Sequence, residues 1–190
     1  MKVTKAQVQA NRARIVETAS ALFRERGYDG VGVADLMAAA GFTHGGFYKH
    51  FGSKADLMAE SAACGFSQTL AMTEGSDRTA FLRQYMSRQH RDAPGQGCTM
   101  AALCADAARQ PKPVREVFAA GLERMLATLG ADAIGDGSMS PETRARNINT
   151  IAHAVGALVL SRACPDDSPL ADEILETCRS AIRSGSLALP

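Results

Sequence analysis

The N-terminal third of the chain places single glycines directly after short apolar stripes, and this pattern limits the folds open to it. The first stripe follows the spacing i, i+4, i+7 and i+8 and comprises Ile15, Ala19, Leu22 and Phe23. The second follows i, i+3, i+4 and i+7 and comprises Val33, Leu36, Met37 and Ala40. Both spacings are typical of amphipathic helices. They predict one helix over residues 10–26, ended by Gly27, and a second from residue 33, ended by Gly41.

A third, very short helix is predicted immediately afterwards. Only Gly41-Phe42-Thr43 separates the second helix from the segment 44–51, which is about two turns long. Phe47 and Phe51 are four residues apart, so they can share one face with Phe42 and pack on the first helix. Two helices joined by a turn this short favour a helix-turn-helix arrangement.

The opposite face of the short segment carries residues that a packed core does not need. His44, Gly45, Tyr48 and Lys49 are predicted to point outward. Glycine costs a helix roughly 1 kcal/mol relative to alanine, yet two adjacent glycines let a backbone approach another molecule closely. In a helix-turn-helix, the second helix enters the DNA major groove.

Donor side chains surround this glycine pair. Tyr48, Lys49, His50 and Lys54 can offer hydroxyl, ammonium and imidazole donors to phosphates. Taken alone, the glycines and these donors have plainer interpretations. The glycines suit a loop, the histidines suit surface positions without a function, and the lysines suit solvated charges. The joint spacing favours the DNA-binding interpretation.

Charge and cysteine usage narrow the class of protein. Residues 1–54 carry eight Lys or Arg against four Asp or Glu, a net charge of +4, whereas the remainder has a net charge of −3. A basic N-terminal end suits an anionic partner. The cysteines are odd in number and without a CxxC pair: Cys64, Cys98, Cys104, Cys164 and Cys178. That pattern favours reduced thiols over a disulfide scaffold or zinc site.

The remaining chain also has a helical pattern. A serine N-cap, Ser53, precedes the next helix, with Asp56 three residues later. The predicted segments are 54–71, 77–90, 99–110, 113–129, 141–162 and 169–183, with a loop over 130–140. Ser140-Pro141 and Ser168-Pro169 are start signals. The fold class is therefore all-α, with about nine helices. The longest apolar run, residues 151–160, is too short to span a bilayer. The polar start predicts no signal peptide, so we expect a cytoplasmic protein that binds no membrane.

The N-terminal pattern resembles that of TetR-family transcriptional regulators. The core of the resemblance has the form G-[FV]-[ST]-x-G-x-x-Y-x-H-F-x-x-K, within a match from Arg12 to Leu57. The matching residues include Ile15, Ala19, Leu22, Phe23, Gly27, Tyr28, Val33, Asp35, Ala40, Gly41, Thr43, Gly45, Tyr48, His50, Phe51, Ser53 and Lys54. Serine or threonine is frequent in the family where this chain has Val31 and Gly32, so a hydroxyl contact to phosphate is missing here.

The resemblance implies a domain organisation and a mechanism. Residues 1–54, extended by the fourth helix to about 71, would form the DNA-binding domain, and residues 55–190 a ligand-binding and dimerisation domain. A homodimer would bind a palindromic double-stranded operator and act as a repressor that a small-molecule effector releases. By position, Thr43, Tyr48, His50 and Lys54 would hold phosphates. His44, Gly45, Gly46 and Lys49 would lie nearest the bases.

Apolar residues of the central helices are candidates for an effector pocket. They are Phe81, Tyr85, Met100, Leu103, Phe118, Leu122, Met125 and His153. Methionine-rich pocket walls adapt to varied apolar ligands, although methionines at helical spacing equally suit an ordinary hydrophobic core. A histidine inside an apolar run, such as His153, also suits a buried histidine whose hydrogen bonds are satisfied within the protein. Cys98 follows Gly97 at a predicted helix start, where the helix dipole lowers a thiol pKa. It is therefore a candidate sensor of electrophiles or oxidants, with an inert buried thiol as the alternative.

The last two helices carry apolar stripes that suit a dimer interface or an internal core equally. The residues are Ile151, Val155, Leu158, Val159, Ile174, Leu175, Cys178 and Ile182. In the family such helices form a four-helix interface between copies.

Two other function classes fit the sequence less well. An enzyme is disfavoured, because the chain has no nucleophile elbow, phosphate loop, HExxH or paired-carboxylate motif. No cofactor or metal is expected. A DNA-binding architectural protein without sequence preference is the other alternative.

Overall fold

The computed structural model describes residues 4–73, 78–130 and 139–184, and all regular structure within them is helical. The helices are α1 (Lys5–Arg26), α2 (Val33–Ala39), a 3-10 helix η1 (His44–Lys49), α3 (Lys54–Thr73), α4 (Arg78–Tyr85), α5 (Arg88–Asp92), a 3-10 turn η2 (Pro94–Gln96), α6 (Thr99–Ala107), α7 (Lys112–Gly130), α8 (Pro141–Arg162) and α9 (Pro169–Ser184). The predicted all-α class is confirmed. None of these helices is long and apolar enough to cross a bilayer.

Two predicted helix boundaries were wrong because a capping residue was overlooked. Helix α1 begins at Lys5 rather than near residue 10, since Thr4 accepts a hydrogen bond from the Gln7 amide at 3.2 Å. A single predicted helix over 77–90 is two helices. Ser87 has an extended backbone and accepts from the His90 amide at 3.2 Å, so it starts α5. Serine and threonine are favoured at such positions because they satisfy an amide that the helix leaves free.

The helices after residue 93 largely follow the prediction. Helix α8 spans the predicted residues 141–162, and Ser140 caps it by accepting from the Thr143 amide at 3.2 Å. Helix α9 starts at Pro169 as predicted. Most of the loop predicted over 130–140 lies outside the described residues, as does Asp77.

The chain divides into two compact units that do not follow a single sequence boundary. The first combines residues up to 69 with 94–119, and the second combines 70–93 with the residues from 120 onward. The division into a DNA-binding and a ligand-binding domain near residue 54 stays a prediction, because compactness does not report function.

The core of the first unit is built on α1. Its fully buried large side chains are Ile15, Phe23, Tyr28, Val31, Leu36, Met37, Phe47, Leu57, Phe66 and Leu103. One charged residue also lies there: Arg24 is 7% exposed and donates to the Gly95 carbonyl from Nε at 3.0 Å and from Nη2 at 2.6 Å. Its Nη1 donates to Ser20 Oγ at 2.7 Å. A buried guanidinium thus fixes η2 to α1.

The second unit is built on the antiparallel pair α8 and α9, where Leu158 and Leu175 are buried. Ser161, fully buried, donates to the Ala171 carbonyl at 2.8 Å and links the two helices. Arg162 donates to the carbonyls of His90 and Arg91 at 2.9 and 3.0 Å. It therefore satisfies carbonyls at the end of α5 that the helix cannot.

Candidate nucleic-acid interface

The turn between α2 and η1 is fixed by backbone geometry. Gly41 has a φ of +83°, which side-chain-bearing residues rarely adopt. The Gly41 amide donates to the Ala38 carbonyl at 3.0 Å, and the Phe42 amide donates to the Met37 carbonyl at 2.8 Å. These two bonds are the 5→2 and 6→1 pair of a Schellman motif. Helix α2 therefore ends in a defined direction, and η1 begins shortly afterwards.

Two phenylalanines attach η1 to the rest of its unit. Phe47 and Phe51 are 1% and 3% exposed, and their ring centroids lie 5.5 Å apart. The guanidinium of Arg12 lies 4.6 Å from the Phe51 ring centroid and forms an ion pair with Glu60. Residues from α1 and α3 thus hold the end of η1 in place. The inward orientation predicted for both phenylalanines is confirmed.

The outward face of η1 consists of exposed residues, one of which, Tyr48, also places its ring edge-on against Phe47 with the centroids 5.2 Å apart. Thr43, His44, Gly45, Tyr48 and Lys49 are exposed, and Tyr48 reaches 69%. Thr43 precedes η1 in the capping position, yet its hydroxyl makes no capping hydrogen bond. From residue 36 to residue 55 the chain carries no Asp or Glu. This face therefore offers donors and positive charge without a neighbouring carboxylate on the same segment.

The glycine pair is not required by the chain's own packing. Neither Gly45 nor Gly46 has a positive φ. A Cβ on Gly45 would meet nothing within 4 Å, and one on Gly46 would lie at ordinary contact distance, 3.5 Å, from Met37 Cε. Alanine would also favour the helix more than glycine. A requirement for glycine at position 45 would therefore have to come from a molecule outside the chain.

His50 is placed at the edge of this face. Its ring lies 6.5 Å from the Phe42 ring and 6.3 Å from the Phe51 ring, centroid to centroid. Its Nδ1 is buried without a hydrogen-bond partner among the described residues. The other ring nitrogen, Nε2, is the one left for a partner outside the chain.

Lys54 has a structural contact in addition to its predicted role. Its Nζ donates to the Tyr28 carbonyl at 2.6 Å and lies 5.9 Å from the Phe23 ring centroid. An ammonium group has three N–H donors, so two remain for another acceptor. The contact ties the start of α3 to the segment that follows α1.

The start of α2 shows how this chain manages without a hydroxyl at residues 31 and 32. Val31 is buried at 1% exposure, and Gly32 caps α2 with an extended backbone. The Gly32 amide donates to Asp35 Oδ2 at 3.4 Å, as in half of a capping box. The other half, an acceptor from the side chain of the capping residue, is missing because glycine has none. Neither Val31 nor Gly32 offers a hydroxyl to a phosphate.

The residues predicted to line an effector pocket are distributed over both units. In the first unit, Met100, Leu103 and Phe118 are 2–5% exposed core residues. In the second, Tyr85 and Met125 are buried, and Phe81 and Leu122 are half-buried. His153 is exposed on α8, so the burial predicted for it was wrong. Its position beside apolar neighbours in sequence does not place it on the face that packs on α9.

Cys98 is buried at 3% exposure in the N-cap position of α6. A helix start is confirmed there. An oxidant in solution has little access to this thiol in the described conformation, and the sensor role stays a prediction.

The residues predicted to form a dimer interface separate into three groups by exposure. Leu158 and Leu175 are buried within the single chain, which is what the core alternative predicts. Ile151, Val155, Ile174, Cys178 and Ile182 are half-buried. Val159 is 45% exposed, as is Ile148, and Leu160 and Leu170 reach 58% and 52%. The last two were missed because they fall outside the apolar stripes.

Sequence reasoning also missed a cluster of arginines in the second unit. Arg83 on α4 and Arg179 and Arg183 on α9 line one groove. The signal available was the i, i+4 spacing of Arg179 and Arg183, which places two like charges on one helix face.

The N-terminal part of the chain matches a known protein family. Residues 15–60 match the model described as "Bacterial regulatory proteins, tetR family". These residues largely coincide with the segment 12–57, whose pattern resembles that family. The matched residues contain α2, η1 and the surrounding parts of α1 and α3.

Several curated relatives match only a short segment of this chain, similar in length to the family match. The chain is 42% identical over 55 residues to the HTH-type transcriptional regulator TtgR of Pseudomonas putida, which covers 29% of this chain and 26% of that protein. The match thus spans about a quarter of that relative. An uncharacterized HTH-type transcriptional regulator of Mycobacterium tuberculosis is 26% identical over 176 residues, covering 86% of this chain and 90% of that one.

A solved structure extends the similarity to the whole fold. A TetR transcriptional regulator from Chloroflexus aurantiacus superposes with a TM-score of 0.72 at 25% sequence identity. The superposition covers 94% of this chain and 95% of that one.

Proposed function

We propose, on the premise that this chain carries the N-terminal domain of the TetR family of bacterial regulatory proteins, that it is a sequence-specific DNA-binding repressor. In this proposal η1 enters the major groove of a palindromic operator. Thr43, Tyr48, His50 and Lys54 hold phosphates, and His44, Gly45, Gly46 and Lys49 lie nearest the bases. The protein acts in the cytoplasm, and a small-molecule effector releases it from the operator.

The observation that carries the proposal is the exposed face of η1. Its side chains are exposed, its glycines are not required by the packing of the chain, and its segment contains no carboxylate. DNA phosphates supply what such a face lacks, namely acceptors and negative charge. The Schellman turn and the buried Phe47 and Phe51 hold this face in a fixed orientation, which favours sequence-specific over non-specific contact.

A homodimer is part of the proposal. Two copies of η1 must reach half-sites one DNA turn, about 34 Å, apart. The exposed apolar side chains of α8 and the start of α9, Ile148, Val159, Leu160 and Leu170, are the surface we assign to the partner copy. Exposed large apolar residues grouped on one helix pair are typical of a protein–protein interface.

Release by an effector requires only that the ligand bind one conformation of the dimer better than the other. A ligand that favours a half-site spacing unlike that of the operator shifts the population away from the DNA-bound form.

Selection from randomised duplexes tests the proposal directly. The full-length protein should enrich one palindrome, and footprinting at about 150 mM salt should protect that palindrome alone. If no sequence is enriched and the protein binds all duplexes equally, with an affinity set by the salt concentration, the architectural alternative is supported and the proposal is wrong.

A pair of charge-matched variants sharpens the test. Because Lys49 is assigned to the bases, Lys49→Gln should weaken binding to the selected operator and relax the sequence preference at the base pair that it contacts. Lys112→Gln removes the same charge from an exposed lysine of α7, whose ion pair with Glu116 is solvent-exposed, and should leave operator affinity unchanged. Equal effects of the two substitutions would mean that η1 is not the contact surface.

A further inference from the structure

A groove between α4 and α9 is lined by both basic and apolar side chains. It encloses about 320 Å³ and is lined by Thr79, Leu82, Arg83, Glu176, Arg179, Ile182 and Arg183. Its residues on α4 are spaced i, i+3 and i+4, so they form one face of that helix. The residues on α9 recur every three or four positions and form a facing stripe. All of them belong to the second unit.

The charges of the groove are unbalanced. Three guanidiniums face one carboxylate, that of Glu176, which forms an ion pair with Arg179. In the part of the chain that the structure describes, the side chains of Arg83 and Arg183 have no hydrogen bond or ion pair. Other arginines of the same unit do have carboxylate partners: Arg88 contacts Asp172 at 3.0 Å and Arg144 contacts Glu123 at 2.6 Å.

This imbalance runs against the stability of the free protein. Arg179 and Arg183 are four residues apart on α9, and like charges at this spacing destabilise a helix. Arg83 adds a third positive charge from the facing helix. An anion placed between them would neutralise the repulsion and accept bidentate hydrogen bonds, the geometry in which guanidinium groups bind carboxylates and phosphates.

The apolar lining of the groove also favours an anion that has a hydrocarbon part. Leu82 and Ile182 are half-buried side chains of the lining and leave apolar surface in contact with any ligand. The volume falls at the lower end of the range typical of small-molecule sites, roughly 300–1,000 Å³. A bare inorganic ion would leave this apolar surface uncovered, whereas a ligand with an acid headgroup and a short hydrocarbon tail would cover it.

We propose that the groove between α4 and α9 binds an amphiphilic anion. Arg83, Arg179 and Arg183 hold the acid headgroup, and Leu82 and Ile182 contact the hydrocarbon. The headgroup is a carboxylate or a phosphate monoester, since both present the planar or forked oxygens that guanidinium groups recognise. That this ligand is the effector rests on the proposed function, whereas the binding itself does not.

Calorimetric titration of the full-length protein with four eight-carbon probes tests the binding. Octanoate and octyl phosphate carry the two acid headgroups and should bind. Octanol and octyltrimethylammonium keep the tail with no charge or the opposite charge, and each should bind at least tenfold more weakly than the better acid. The proposal would be overturned if octanol bound as tightly as both acids, or if neither acid bound.

Substitutions then locate the site. Arg83→Gln and Arg183→Gln should each raise the Kd of the better acid at least tenfold, because each removes a guanidinium from the headgroup. Both residues are exposed, so the melting temperature without ligand should stay within a few degrees. Arg124→Gln removes an exposed arginine of the same unit outside the groove and should leave the Kd unchanged. An unchanged Kd in both groove variants would overturn the assignment.

Operator binding measured on the same samples separates this inference from the proposed function. The better acid, at saturation, should lower operator affinity of the wild type at least tenfold, and Arg83→Gln should need at least tenfold more of the acid for the same effect. Acid binding without any change in operator affinity would overturn the effector assignment. Failure of the selection to enrich an operator would sink the proposed function, while the titrations would still decide the binding site.

Discussion

The guanidinium of Arg12 lies over the ring of Phe51, 4.6 Å from its centroid, while it forms an ion pair with Glu60. Arg12 belongs to α1, Phe51 directly follows η1, and Glu60 belongs to α3. The Arg12 side chain therefore joins α1 both to the residue that follows η1 and to α3. The contact is partly exposed, with 38% of the Arg12 side chain accessible.

Removing Arg12 should loosen the attachment of η1. Arg12→Ala loses the cation–π contact, about 0.5–1 kcal/mol, and an exposed ion pair, about 0.2–1 kcal/mol. We expect a loss of about 1 kcal/mol in the free energy of unfolding, measured by urea denaturation. Glu60→Gln keeps Arg12 over Phe51 and should cost at most about half as much. A larger loss for Glu60→Gln than for Arg12→Ala would show that the ion pair, not the ring contact, holds the segment.

Gly45 should respond to alanine in opposite ways in stability and in DNA binding. A Cβ at this position meets nothing within 4 Å, and φ is not positive. Gly45→Ala should therefore leave the free energy of unfolding unchanged or raise it by up to about 1 kcal/mol, because the unfolded chain loses freedom. Operator affinity should nevertheless fall at least tenfold in a gel-shift assay, since the methyl group occupies space next to the bases.

Gly41→Ala is the matched comparison. Its φ of +83° strains any other residue, and an added Cβ would lie 3.3 Å from Arg14 Nη2. This variant should lose about 1–2 kcal/mol of stability. Unchanged operator affinity in Gly45→Ala would mean that the backbone at residue 45 does not approach DNA.

The N-terminal architecture was predictable because local signals there agree with tertiary packing. The glycine after α2 ends it in a Schellman motif, and the phenylalanines at i and i+4 face inward. The break between α4 and α5 was missed because Ser87 sits inside an otherwise helical pattern, where a capping role depends on its extended backbone. The basic groove was not predictable from one helix, since Arg83 and Arg179 are brought together by the packing of α4 on α9.

Buried Arg24 is expected to be intolerant even of lysine. Burial lowers the pKa of its guanidinium, with Cys64, Cys98 and Glu25 acting in the opposite direction. Lysine has three donors on one nitrogen and cannot reproduce the fork that contacts Gly95 twice and Ser20 once. Hydrogen bonds to charged groups contribute about 1.5–3 kcal/mol.

We therefore expect Arg24→Lys to lose about 2–3 kcal/mol in the free energy of unfolding, measured by chemical denaturation. Arg26→Lys changes an exposed arginine of the same helix and should stay within about 0.5 kcal/mol of the wild type. Similar stabilities for the two variants would show that the contacts of Arg24 contribute little beyond its charge.

His90 should make the stability of the protein depend on pH just below neutrality. Burial lowers the pKa of its imidazole, and nearby Arg162 acts in the same direction, while the contact of Nδ1 with the Tyr85 carbonyl at 2.6 Å acts against them. In the unfolded chain a histidine titrates near about pH 6.5. Below that pH the unfolded state binds a proton that the folded state resists. The stabilisation is therefore complete above about pH 6.5 and is lost as the pH falls toward the lower pKa of the folded state.

Urea denaturation at about pH 7.5 and at about pH 5.5 measures this effect, because most carboxylates remain ionised in this interval. The wild type should be less stable at the lower pH. His90→Gln should show a smaller difference between the two pH values, together with a lower stability at the higher pH, because its amide reproduces the bond to Tyr85 imperfectly. His44→Gln removes an exposed histidine and should keep the wild-type difference. If His90→Gln retains the full difference, another group must be the one whose protonation opposes folding.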